Sequence, residues 1–150
     1  MKSVFDKDDV AETIERINRL SPEVQAQWGK MSVDQMLAHC NVSYEMVYTD
    51  KYPKPNILIG LIMKIFVKNK VVSEKPFAKN LLTAPQFKML DKKDFEFEKK
   101  RLIDFIIKTQ ELGEEHFDGK ISHSFGKLNK TEWNNMFYKH LNHHLTQFGV

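Results

Sequence analysis

Cysteine is almost absent: Cys40 is alone among 150 residues and cannot close a disulfide within the chain, which excludes a disulfide-stapled secreted scaffold. Glycine and proline are also sparse, at six and five, so a collagenous or low-complexity chain is excluded. No long hydrophobic run is present. The best stretch, Ile57 to Phe66, is broken by Lys64 and is about half of the ~20 residues that a membrane-spanning helix needs, so no membrane span is expected. Excess charge of one sign is missing too. Lys and Arg number 23 against 20 Asp and Glu, a net +3, and they are scattered, with no RNP, zinc-finger or basic-zipper pattern. Nucleic acid is therefore not an expected partner. The start MKSVFDKDDV carries charges where a signal peptide would carry its apolar stretch; with the unpaired cysteine, this reads as a cytoplasmic protein.

What is present is apolar material for one core. Apolar side chains make up 41% of the chain, which suits a single domain over residues 1–150 better than two. Four segments have helical spacing. Asp6 and Asp9 resemble an N-terminal cap, followed by Val10, Ile14, Ile17 and Leu20 at steps of three and four. Ser21-Pro22 opens a short turn, and Gly29 after Trp28 reads as a stop. Ser32 with Gln35 has capping-box spacing; Val33, Met36, Leu37, Cys40, Tyr44 and Val47 then mark the buried face of a second helix, closed by Pro53 and Pro55. A third helix is expected from Asp91 or Lys93 to Gly113, with Phe95, Leu102, Phe105, Ile106 and Leu112 as its stripe. Asn129 with Glu132 caps the fourth, which runs to Phe148.

Residues 51–92 read as an insertion with one short helix, since a structureless loop of that length does not suit a compact domain. The apolar segment 57–67 can pack over the bundle, form a dimer interface, or rest on a membrane surface with Lys64, Lys68 and Lys70 at its edge. Residues 114–128 are turn-rich and hold no alternating run long enough for a sheet of consequence. The expected fold is all-α: a four-helix bundle with a long crossover connection, which permits parallel neighbours.

Histidine is distributed unevenly. Three of the six fall in YKHLNHHLTQFG at the end of the fourth helix. At about 100° per residue, His140 and His144 lie within the stripe formed by Trp133, Phe137, Leu141 and Phe148, while His143 falls to one side. Imidazoles at i and i+4 can turn nitrogens toward one point, as in helical zinc sites. Unpaired in an apolar stripe, each would cost on the order of 1–3 kcal/mol, so a metal, a water or a carboxylate must answer them. Helix two offers a third imidazole, His39, at the edge of its apolar face. Glu98 lies on the stripe of helix three, where it can bond a ligand imidazole, ligate, or remain a solvated carboxylate near the helix start. Cys40 reads as a small buried hydrophobe, the methionines as core filling, and His116 and His123, grouped with Asp118, as solvated loop residues or the rim of a pocket.

Three segments carry a family resemblance. WGKMSVDQMLAHC, HSFGKLNKTEW followed by HLNHHLTQFG, and PFAKNLLTAPQF together resemble a bacterial branch of the DinB-like (YfiT-like) superfamily. The resemblance implies a four-helix bundle with a long crossover and a metal held by one His of helix two and an i, i+4 His pair of the last helix. Carried over, the ligands are His39, His140 and His144, with His143 and Gln147 as candidates to support them. Many members continue His-His with Arg-Gly-Gln; here Leu145-Thr146-Gln147 follows, so only Gln147 matches. The resemblance further implies a metal-dependent enzyme of hydrolase or thiol S-transferase type acting on a small-molecule substrate. Zinc or nickel is its expected divalent ion, a low-molecular-weight thiol a possible co-substrate, Glu98 the first carboxylate to test for catalysis, and a homodimer its assembly. The opposing expectation is a non-catalytic helical module for ligand binding or interaction.

Overall fold

The computed structural model describes residues 1–150. Four long helices form it: α1 (Lys7–Asn18), α2 (Val33–Tyr48), α5 (Phe95–Phe117) and α6 (Lys130–Gln147), with α3 (Ile57–Ile62) and α4 (Lys68–Val72) in the connection between α2 and α5. The starts follow the caps. Asp6 accepts from the backbone of Asp8 and Asp9, Gln35 accepts from Ser32 N–H at 3.2 Å, Asp94 accepts from Phe97 N–H, and Asn129 and Glu132 bond each other's backbone N–H in a reciprocal box.

Side-chain pairings give the directions of the bundle. Asp34 meets Lys93, Asn41 meets Glu98 and Tyr48 meets Thr109, so α2 and α5 run parallel. Such a pair requires a long crossover, here residues 49–94. Phe5 packs on Phe117 while Lys99 reaches Asn18, so the N-terminal segment and α1 run antiparallel to α5. His39 lies by His144 and Tyr44 by Phe137, making α6 antiparallel to α2. The result is an up-down-down-up bundle, the all-α class expected.

Its interior is one cluster of 21 buried apolar residues. Tyr44 is stacked between Phe105 and Phe137, with ring centroids 5.7 and 4.7 Å away, and Phe117 closes the far end against Trp133 at 5.4 Å. The helix α2 buries eleven residues, polar His39, Asn41 and Glu45 among them, because it has neighbours on several sides: α5, α6 and the 3-10 turn Pro85–Phe87 of the crossover.

Several boundaries differ from expectation. Helix α5 does not end at Gly113; it kinks there, at φ +73°, and continues to Phe117. The buried stripe runs from Ile106 on to Thr109 and resumes at Phe117 beyond the kink, while Leu112 faces solvent. Residues 21–31 hold turns and no helix, as expected, with Gly29 at φ +82°. The crossover is more helical than one short helix: α3, a π-helical turn at Met63–Val67 and α4 form an unbroken run. Asn56 caps it, and it is tied to α6 by Asn135, which donates to Val72 O, and by Lys139. The buried Lys139 ammonium donates to Lys70 O at 2.8 Å and Ser73 O at 2.5 Å, and burial pushes its pKa down to about 8. The only strands, Ile121–Ser122 (β1) and Gly126–Lys127 (β2), form a minimal antiparallel hairpin.

Packing at the centre of this arrangement predicts a contrast measurable by urea unfolding. Phe137→Ala removes the stacking partner of Tyr44 and should cost about 3–5 kcal/mol, whereas Leu112→Ala on the exposed side of α5 should stay within about 0.5 kcal/mol.

Candidate metal centre

Where α2 and α6 cross, three imidazoles meet. The ring centroids of His39, His140 and His144 lie 4.5 to 5.0 Å apart, and one nitrogen from each falls within 4.8 Å of the others. His39 and His144 are buried and His140 is half-buried. The i, i+4 spacing along α6 supplies two rings, and α2 aims the third at them from the antiparallel side.

Each ring is held through Nδ1. His39 Nδ1 lies 2.8 Å from Phe87 O in the 3-10 turn of the crossover. A carbonyl only accepts, so Nδ1 carries the proton and Nε2 of the neutral ring presents a lone pair. His144 Nδ1 lies 2.8 Å from Gln147 Oε1, while Gln147 Nε2 donates to Trp28 O at 2.6 Å. Because Trp28 O needs the amide NH₂, the Gln147 oxygen must face His144, and Nδ1–H donates there too. His140 Nδ1 lies 2.9 Å from Ser43 Oγ, a hydroxyl that can accept or donate. The three Nε2 atoms are thus the free ends, and those of His39 and His140 stand 2.9 Å apart. This is the arrangement by which metal-binding histidines are commonly oriented: one nitrogen tied to an oxygen, the other facing the ion.

The donor set fits a divalent cation. Two bonds of about 2.1 Å to one ion allow donor nitrogens up to about 4.2 Å apart, so the His39–His140 pair is already within reach and the widest separation needs to close by at most about 0.6 Å. Three neutral imidazoles suit zinc, copper, iron and nickel. Burial pushes all three below the ordinary histidine range, His140 well below it and His144 to about 3, and neighbouring imidazoles act in the same direction. Neutral rings with unprotonated Nε2 are the form that metals bind.

The remaining expected residues divide. Gln147 stands where a supporting residue was expected, against His144. The loop before α2 holds this residue at both ends: Gln27 N–H donates to the Gln147 backbone carbonyl at 2.8 Å, Trp28 O accepts from the carboxamide, and a Cβ on Gly29 would come 2.7 Å from Gln147 Nε2 at a backbone φ of +82°. Gly29 is therefore required for close approach. His143 makes no hydrogen bond to the three rings; it lies edge-on to Trp28, Phe77 and His144 and lines a cavity of about 400 Å³ on the outer side of α6. Glu98 is neither solvated nor bonded to an imidazole. It is buried, and accepts from Asn41 at 2.7 Å and Arg101 at 2.8 Å. Arg101 also pairs with Glu45, which is further bonded by Lys51 and Tyr52. Burial pushes the Glu45 carboxyl up, but the bonds from Lys51, Arg101 and Tyr52 outweigh it and hold it below the usual range. Cys40 is buried in the core. His116 is exposed on the last turns of α5, and His123 sits at the hairpin turn beside Tyr52 O.

Two functional positions had no sequence signal. Ser43 lies one turn after His39 and is an ordinary helical serine until α6 is placed against it. Phe87 contributes a backbone carbonyl to His39 and packs its ring 5.2 Å from the same imidazole, a role available to any residue there except through its ring.

Fold and site together define an all-α bundle with a three-histidine cluster at the crossing of its second and last long helices. The chain belongs to the family described as protein of unknown function DUF1569, which it matches over residues 2–149. No curated protein and no solved structure matches the chain.

The low pKa of His144 has a measurable consequence in metal-free protein. Below about pH 6.5 the unfolded chain protonates this imidazole, whereas the folded chain does so only near pH 3. The unfolded state binds more protons across that window, so stability falls as pH falls, by about 1.4 kcal/mol per pH unit for this group. Urea midpoints between pH 7 and 5 in the presence of chelator should decline more steeply for the wild type than for His144→Gln. Equal slopes would contradict the assignment.

Proposed function

We propose that this chain is a metal-dependent enzyme whose divalent ion is held by Nε2 of His39, His140 and His144. The carrying observation is that the three rings are tied at Nδ1 by Phe87 O, Ser43 Oγ and Gln147 Oε1, leaving three donors directed to one place. Two of those donors have their lone pairs imposed by partners that only accept. One of these, His39 Nε2, stands 2.9 Å from His140 Nε2, whose tautomer Ser43 leaves open, so a proton on His140 or a shared cation lies between the two.

The resemblance to the DinB-like superfamily supports the same ligand set, and the parallel α2–α5 pair with its crossover agrees with that superfamily's bundle. Zinc and nickel are the ions we favour. A divalent ion on three neutral ligands keeps its full charge and an open position, and supplies Lewis-acid activation of a water or a thiol near neutral pH. The reaction class is accordingly hydrolysis or thiol S-transfer on a small molecule. The chain's own residues have defined parts in it. Gln147 and Phe87 O keep two rings in one tautomer, Ser43 adapts as acceptor or donor to His140, and the Phe87 ring excludes water from the pair it covers. Glu98 is engaged with Asn41 and Arg101, so its contribution on this reading is to join α5 to α2 behind His39.

Protein purified without a histidine tag or chelating resin should contain close to one equivalent of zinc or nickel by elemental analysis. Saturating metal at about 100 times its Kd should stabilise the chelated protein by about 2.7 kcal/mol. His140→Ala should abolish both effects, and Gln147→Ala should weaken binding about 10- to 100-fold. Metal below about a tenth of an equivalent, with no stabilisation by added zinc, nickel or manganese, would leave a non-catalytic bundle as the better description.

A further inference from the structure

The crossover helix is turned inside out. Along α3 and the π-helical turn, Met63 and Val67 face the bundle, while Ile57, Leu58, Ile59, Leu61, Ile62, Ile65 and Phe66 are between 48% and 94% exposed. Exposed apolar residues scattered singly need no explanation, but seven in ten consecutive positions form a continuous ridge. The hairpin extends it with Ile121, which is 63% exposed.

Its charge is of one sign. From residue 51 to residue 73 the chain has Lys51, Lys54, Lys64, Lys68 and Lys70 and no acidic residue. Lys51 and Lys68 are paired with Glu45 and Glu132; Lys54, Lys64 and Lys70 have no acidic partner. Lys54 and Lys64 flank a recess of about 380 Å³ between the start of α3 and the hairpin, lined also by Ile57, Leu61 and Ile121 and by Asn56, His123 and Ser124. A hollow rimmed by two lysines thus opens within the apolar ridge itself.

We infer that this face docks on an anionic phospholipid bilayer, with the ridge lying in the plane of the interface and the recess between Lys54 and Lys64 receiving a lipid phosphate. Helices that combine an apolar face with flanking lysines bind membranes in this way, through buried apolar area and attraction to anionic headgroups. A second copy of the chain on the same ridge would bring unpaired lysines toward unpaired lysines, whereas anionic phosphates meet them with opposite charge. Long lysine stems also let the ammonium reach the headgroups while the ridge sinks among the acyl chains.

The test is flotation of the full chain with vesicles of phosphatidylcholine alone or with about 30% phosphatidylglycerol, at about 0.05 M and about 0.5 M salt. At low salt at least about tenfold more protein should float with the anionic vesicles, and the difference should shrink at high salt. The double change Ile65→Glu, Phe66→Glu alters only exposed side chains, so it should keep the helical circular dichroism and melting temperature while abolishing flotation; Lys54→Gln with Lys64→Gln should reduce flotation several-fold. No flotation with anionic vesicles at low salt would overturn the inference. So would a dimer seen by sedimentation that the Phe66→Glu change dissociates while the wild type does not float, since a second copy would then be what covers the ridge.

Discussion

Three imidazoles crowded into the seam between two helices are the constraint on which the rest of this structure depends. Apolar neighbours cannot satisfy six ring nitrogens, and burial keeps the rings uncharged. The fold answers half of them with oxygens, each from a different place: a backbone carbonyl of the crossover, a serine of α2 and a glutamine one turn along α6. The other half converge. Most of the unusual features nearby follow from holding that geometry. The crossover must pass over α2 so that Phe87 O reaches His39, and the loop before α2 must press close to the end of α6, which is why a glycine sits at position 29.

The parallel α2–α5 pair gives the bundle a second polar seam with a different character. Arg101 joins Glu45 to Glu98, Asn41 donates to Glu98 while its own Oδ1 stays without a partner, and Lys51 and Tyr52 close the outer edge. Breaking one partner of such a network leaves a buried charge uncompensated, while the intact network contributes modestly to net stability. Its use is positional: it sets the register of α5 on α2 and so the platform from which His39 projects. One seam is closed by opposite charges, the other by neutral imidazoles whose ring nitrogens converge.

Much of this was readable from spacing. Capping residues mark α1, α2 and α6, whereas α5 is capped by Asp94 and not by Asp91 or Lys93, and the i, i+4 histidines inside the apolar stripe of α6 point to the centre. His39 was legible as the helix-two partner because it lies at the edge of that helix's apolar face. The misreadings share a physical cause, which is that local signals are ambiguous where tertiary contact decides. Gly113 permits positive φ and therefore reads as a terminus, yet the chain resumes its helix after the kink and buries Phe117. At Gly29 the end of the turn was legible, but not that the missing side chain serves the approach of Gln147. Glu98 on an apolar stripe reads as a partner for an imidazole, a ligand or a solvated carboxylate, and Arg101, one turn away on the same helix, is the cation it meets. Ser43 and Phe87 could not be found at all, since a hydroxyl on a helix and a carbonyl in a loop acquire meaning only from the ring placed against them.

The central claim is that His39 and His144 are held as the tautomer protonated at Nδ1, with Nε2 unprotonated and directed to a shared point. Long-range ¹H–¹⁵N NMR of the chelated protein at neutral pH reads this directly. The account predicts Nδ1-protonated rings at both positions, with zinc then moving the Nε2 resonances of His39, His140 and His144 together. Nε2-protonated rings at His39 and His144, unmoved by zinc, would contradict it.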